Sequence, residues 1–92
     1  MIGVIKVEYL FGRLVISKAG HDKNKIYVII DCDNEYVYLS DGNARKLDNL
    51  KKKRKKHVQP INYLSEELIN KNKSSKIIDE DVKRAIKLFV NR

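Results

Sequence analysis

Residues 26–40 read Ile26-Tyr27-Val28-Ile29-Ile30-Asp31-Cys32-Asp33-Asn34-Glu35-Tyr36-Val37-Tyr38-Leu39-Ser40. In the first half, Ile26, Val28, Ile30 and Cys32 fall on one face and Tyr27, Ile29 and Asp31 on the other, the two-residue period of a strand. That pattern predicts Cys32 to be a buried small hydrophobe. In the second half, Val37 and Leu39 lie opposite Tyr36 and Tyr38. Asn34, flanked by two acids, supplies the turn. The stretch therefore reads as a β-hairpin with a tight connection.

Strand signals continue outward. Gly12 precedes the β-rich run Arg13–Ser17, and Lys18–Lys25 is a polar loop holding one glycine, Gly20. Asp41-Gly42-Asn43 is a turn. In Arg45–Leu50 the two leucines lie three apart, which fits either a helical turn or a distorted strand. His57–Ile61 reads as a last strand ended by Pro60, which has no N–H for a ladder. Short strands at this spacing predict a mainly β fold, a small closed or nearly closed barrel over residues 1–61. Closure would remove the edges and send the loops to the barrel ends.

Residues 62–92 read as a helical C-terminal extension. Ser65 can cap a short helix that carries Glu66 and Glu67 in its first turn. Lys71–Lys76 reads as polar and flexible. Asp79 is the candidate cap of a second helix, Glu80 to about Asn91. Its apolar face is Val82, Ala85, Ile86, Phe89 and Val90, and its polar face shows Lys83, Arg84 and Lys87. Docking on the barrel is the simpler role for that face; a dedicated protein partner is the rival.

Ninety-two residues leave no room for two domains with a substrate cleft between them. One cysteine excludes an intramolecular disulfide framework and a Cys-based zinc cluster, and fits a reducing cytoplasm. His21 and His57 have no ligands at metal spacing, so neither a metal nor a cofactor is expected. The chain has no phosphate-loop or nucleophile signature, which argues against an enzyme. No apolar run approaches the roughly 18 residues of a membrane span. The opening MIGVIKVEYLF is interrupted by Lys6 and Glu8 and does not resemble a signal peptide.

The net charge of +8 is unevenly spread. Residues 26–42 carry four acids and no Lys or Arg, whereas residues 43–60 carry eight Lys/Arg against one acid. Within the latter lies Lys51-Lys52-Lys53-Arg54-Lys55-Lys56, followed by His57. Six adjacent cations repel one another unless an anion neutralises them. Taken alone, the run fits a solvated loop, a nuclear address or an acidic-lipid contact.

The stretch Gly12–Ile30, with its Lys18-Ala19-Gly20-His21-Asp22-Lys23 element, and the later Asp41-Gly42-Asn43-Ala44-Arg45-Lys46 resemble a KOW motif. That motif alternates apolar and polar residues around a fixed glycine, here Gly20. The likeness covers about residues 9–60. Asn24 stands where the family often has glycine, and Asn can adopt the left-handed dihedrals such a turn needs. The resemblance implies an SH3-like five-stranded barrel that binds RNA, commonly ribosomal RNA.

The residues themselves suggest the same chemistry. Gly20 allows a tight bend or close approach to a phosphate, and Lys18, His21, Lys23, Asn24 and Lys25 surround it. Arg45, Lys46, Lys51, Lys52, Lys53, Arg54, Lys55, Lys56 and His57 add further candidate phosphate contacts. Arg13 could equally make a surface ion pair. Asp22 is expected to close a turn or to pair with Lys23 or Lys25. Tyr27, Tyr36 and Tyr38 either stack on bases or cover the sheet. A loop rich in lysine favours backbone contact over base reading. The expected partner is RNA, ribosomal RNA or the large ribosomal subunit, with no membrane. A protein-interaction adaptor using the barrel or the second helix is the rival from another class, and duplex DNA is a weaker one.

Overall fold

The computed structural model describes residues 9–92. The reading of the first eight residues, including most of the signal-peptide argument, lies outside them. Five strands form one antiparallel sheet: β1 (Arg13–Ser17), β2 (Ile26–Cys32), β3 (Tyr36–Ser40), β4 (Lys51–Arg54) and β5 (Val58–Leu64), in the order β4-β3-β2-β1-β5. A 3-10 turn, Lys55–His57, joins β4 to β5, and α1 (Glu66–Ser74) and α2 (Asp79–Val90) follow. The mainly β architecture with C-terminal helices is as the sequence predicts. No helix among the described residues is long and apolar enough to cross a membrane.

Both faces of the central strands are buried. Val15, Tyr27, Ile29, Val37, Leu39 and Val58 form one cluster on one side of the sheet. Leu14 and Val28 point the other way and join Leu68, Ile77, Val82 and Ala85 in a second cluster under the helices. An apolar residue at almost every position of 26–30 is what double-sided burial demands. Completely burying a Leu or Val side chain stabilises by about 1.5–3 kcal/mol, so the helices contribute core and are not an appendage.

Helix α1 starts as read: the Ser65 hydroxyl accepts the Leu68 N–H at 3.3 Å. It continues through Ser74, so Lys71–Ser74 is helical instead of flexible. Asp79 is the first residue of α2, not its cap; its carboxylate accepts the Leu47 N–H at 2.8 Å. The Ile78 N–H is taken by Asp81, also at 2.8 Å. Val82, Ala85, Ile86 and Phe89 lie on the docked face, but Val90 turns outward and is 57% exposed.

Two strand readings are corrected. Strand β5 does not stop at Pro60 but runs to Leu64, across the expected division at residue 61. It is an edge strand paired with β1 alone, where a missing N–H costs no ladder bond on the open side. Cys32 is exposed, not buried. Ile29 pairs with Leu39 and Asp31 with Tyr38, so Ile30 is an extra residue in β2. This bulge interchanges the faces beyond it. Cys32 therefore leaves the side of Val28, and its thiol donates to the Tyr9 carbonyl at 3.3 Å. Arg45–Leu50 forms neither a strand nor a helix; it holds a single turn closed by Asn49 N–H on the Lys46 carbonyl at 2.9 Å.

Candidate nucleic-acid interface

The β1–β2 loop is built around two left-handed residues, Gly20 at φ +89° and Asn24 at φ +74°. Asn24 thus adopts the left-handed dihedrals expected of it. The Asn24 N–H bonds the Ser17 carbonyl at 2.8 Å and closes the loop. Inside it sits Asp22. One carboxylate oxygen accepts from the Ser17 hydroxyl at 2.8 Å and from Lys53 Nζ at 2.9 Å; the other accepts from the Tyr27 hydroxyl at 2.8 Å. Lys53 also donates to the Ala19 carbonyl at 2.8 Å. The expected partners Lys23 and Lys25 are replaced by a lysine from a distant strand.

Burial alone would raise the Asp22 carboxyl. The Lys53 ammonium and the Ser17 and Tyr27 hydroxyls outweigh it and hold the carboxyl far below the usual carboxylate range. Burial, and then the facing Asp22 charge, push the Tyr27 phenol up. Tyr27 is 2% exposed and committed to this bond, so it covers the sheet and does not stack on a base.

The loop is tied at three places. Lys53 binds it to β4. The Lys18 N–H donates to the His57 carbonyl at 2.8 Å, which joins it to the 3-10 turn. Lys25 pairs with Asp41 at 2.7 Å, which joins it to the turn after β3. Burial raises the Asp41 carboxyl, but Lys25 and the backbone N–H groups of Arg45 and Asn43 more than compensate and keep it low. The Gly20 bend, the lysine-rich segment and the 41–45 turn therefore share one end of the sheet.

The lysine run is not a uniform strip. In the β3–β4 register, Lys51 and Lys53 oppose Leu39 and Val37, whose side chains are core, while Lys52 and Arg54 oppose Tyr38 and Tyr36. Lys51, Lys53 and Lys55 are accordingly half-buried, and Lys52, Arg54 and Lys56 are exposed. Lys52 Nζ lies 4.3 Å from the Tyr36 ring centroid, and Lys55 Nζ 4.9 Å from that of Tyr9. Arg54 pairs with Glu35. The Tyr38 hydroxyl donates to Asp33 at 2.9 Å. The Tyr36 and Asp33 contacts thus engage the aromatic pair within the sheet.

Of the candidate contact residues, Lys18, Lys23, Lys46, Lys52 and Lys56 are exposed cations without an ion pair among the described residues, and His21 is exposed too. Arg45 is half-buried, and its side chain reaches Asn49 at 3.5 Å. Arg13 stands apart. It begins β1, at the end away from the loop, and donates to the Ile61 carbonyl at 3.1 Å. Lys53 and Arg13 are thus structural contacts, not part of an exposed basic surface. Sequence reasoning missed Ser17 and Tyr27, which brace the loop through Asp22; a buried serine at a strand end gave no sign of it. No protein-family model matches the chain, and no curated protein matches it.

Proposed function

We propose that the protein is a non-catalytic RNA-binding module, an SH3-like barrel of the KOW type, acting in the cytoplasm on ribosomal RNA or the large ribosomal subunit. The observation that carries this reading is the bond from Lys53 to Asp22 and Ala19, which draws a glycine-centred loop against a basic strand. Around that bond Lys18, Lys23, Lys52 and Lys56 offer ammonium groups to a polyanion. Lysines act as point charges and engage backbone phosphates without reading sequence. The strand order supports the barrel: β1 lies between β2 and β5, and the 3-10 turn precedes β5.

The test is a titration with ribosomal RNA fragments across salt concentrations. With about six phosphates neutralised, log affinity falls against log salt with a slope of about −4 to −5. Reversing Lys52 and Lys56 weakens unrelated RNA sequences by similar factors and reduces the slope by about 1 per residue. A flat salt response overturns the reading. The adaptor alternative draws on Leu88 and Val90 of α2, which are 40% and 57% exposed. It gains if charge reversal leaves co-sedimentation with ribosomal particles intact while Leu88→Asp abolishes it.

A further inference from the structure

A groove of about 620 Å³ lies between the end of the Gly20 loop and α2. It falls within the roughly 300–1,000 Å³ range of small-ligand sites. Its apolar lining is Ile26, Ile86 and Val90, and Val90 contributes nothing to either core. Asn24, Asn43 and Asn91 also line it, each amide both donor and acceptor. Lys25, in the same lining, is neutralised by Asp41. Lys83 and Lys87 supply the remaining charge: Lys83 makes only a long, exposed pair with Glu80 at 3.9 Å, and Lys87 has no ion pair among the described residues.

One wall is fixed in advance. Gly42 has φ +73°, and a Cβ there would lie 2.4 Å from the Asp79 carbonyl oxygen and 2.9 Å from Lys83 Cγ. The 41–43 turn is thus seated directly on the first turns of α2, and only glycine fits.

We propose that this groove takes one unpaired nucleotide of the bound RNA, with its base on Ile26, Ile86 and Val90, its edge against the asparagine amides and its phosphate at Lys83 and Lys87. This rests on the RNA reading above and extends it from backbone contact to base contact. A duplex hides its base faces in the stack, whereas bulges and loops expose them. The combination of apolar side chains, two-way amides and cations matches a nucleotide, which brings an aromatic face, a donor–acceptor edge and a phosphate together; an acidic peptide brings no apolar face to cover Val90.

The test compares a labelled RNA duplex with the same duplex carrying one bulged nucleotide, by fluorescence anisotropy. The wild-type protein prefers the bulged RNA by about fivefold, the lower end of what one stacked base contributes. Val90→Asp and Lys87→Glu, both at exposed positions, bring that preference near unity, with thermal melts confirming the fold. In NMR spectra the bulged RNA shifts the side-chain amides of Asn43 and Asn91, which lie outside the Gly20 loop, and the plain duplex does not. Binding to neither RNA overturns the functional reading itself. Equal affinity for the two, or a preference that survives both variants, overturns the groove alone. A poly-glutamate peptide that shifts the same amides at equal affinity also overturns it, in favour of a protein ligand.

Discussion

Lys53 and Asp22 are 10% and 15% exposed, and each satisfies groups that the other would leave stranded. Removing one partner of such a pair strands a buried charge. Lys53→Met therefore destabilises the fold by about 3 kcal/mol, measured by chemical denaturation, yet changes the salt slope of RNA binding little, because its ammonium faces inward. Lys52→Met does the reverse. The pH dependence has a definite sign. The Asp22 carboxyl lies lower in the folded state than its ordinary 3.8. Between the two values the unfolded chain binds the extra proton, so stability rises with pH there. The contribution is complete above about pH 4 to 5 and is lost as pH falls toward the folded value. Asp22→Asn is less stable at neutral pH and loses acid sensitivity relative to wild type. An unchanged acid limb would refute the assignment. The sequence exposed the cationic run and the loop, but nothing in it says which lysine turns inward. That follows from a register between residues 31 positions apart.

At the scale of elements, the hairpin over residues 26–40 was legible because alternation and turn residues are local. The bulge at Ile30 was not, because no residue type marks it; it arises from pairing with β3. One inserted residue carried Cys32 from a predicted core position to the surface. The native protein is therefore expected to react with a maleimide as fast as the denatured chain, within about a factor of ten, as read by mass spectrometry. Modification that requires denaturant would restore the buried assignment. The lysine run belongs to the same lesson. Read as a string, it looks like a loop. As β4 it blunts the sheet edge, since a strand of lysines resists pairing with another chain. Pro60 follows a related rule: a proline excludes a central strand, and β5 is at the edge, so the strand runs on past it.

At the scale of the whole molecule, Leu14 and Val28 are completely buried in a cluster that Leu68, Val82 and Ala85 of the helices help to close, although they stand on interior strands β1 and β2 of the barrel-like sheet. A chain cut after Leu64 would present those side chains to water, so truncation tests folding before it tests any partner. The periodic face of α2 was legible in the sequence; its seat on the back of β2 was not, because the helical pattern names no docking surface. Two cores that share β1 and β2 should melt as one unit. Leu68→Ala in the helical core is expected to cost about 2–4 kcal/mol, and Val37→Ala in the core on the other side of the sheet about 2 kcal/mol. Each should shift a single transition seen identically by far-ultraviolet dichroism, which reports the helices, and by tyrosine fluorescence, to which the sheet residues Tyr27, Tyr36 and Tyr38 contribute. If Leu68→Ala instead lowers the helical midpoint and leaves the tyrosine midpoint in place, the helices form a separate unit. The groove between the Gly20 loop and α2 would then have an independently mobile wall, and the bulged-nucleotide preference should vary with temperature before the sheet unfolds.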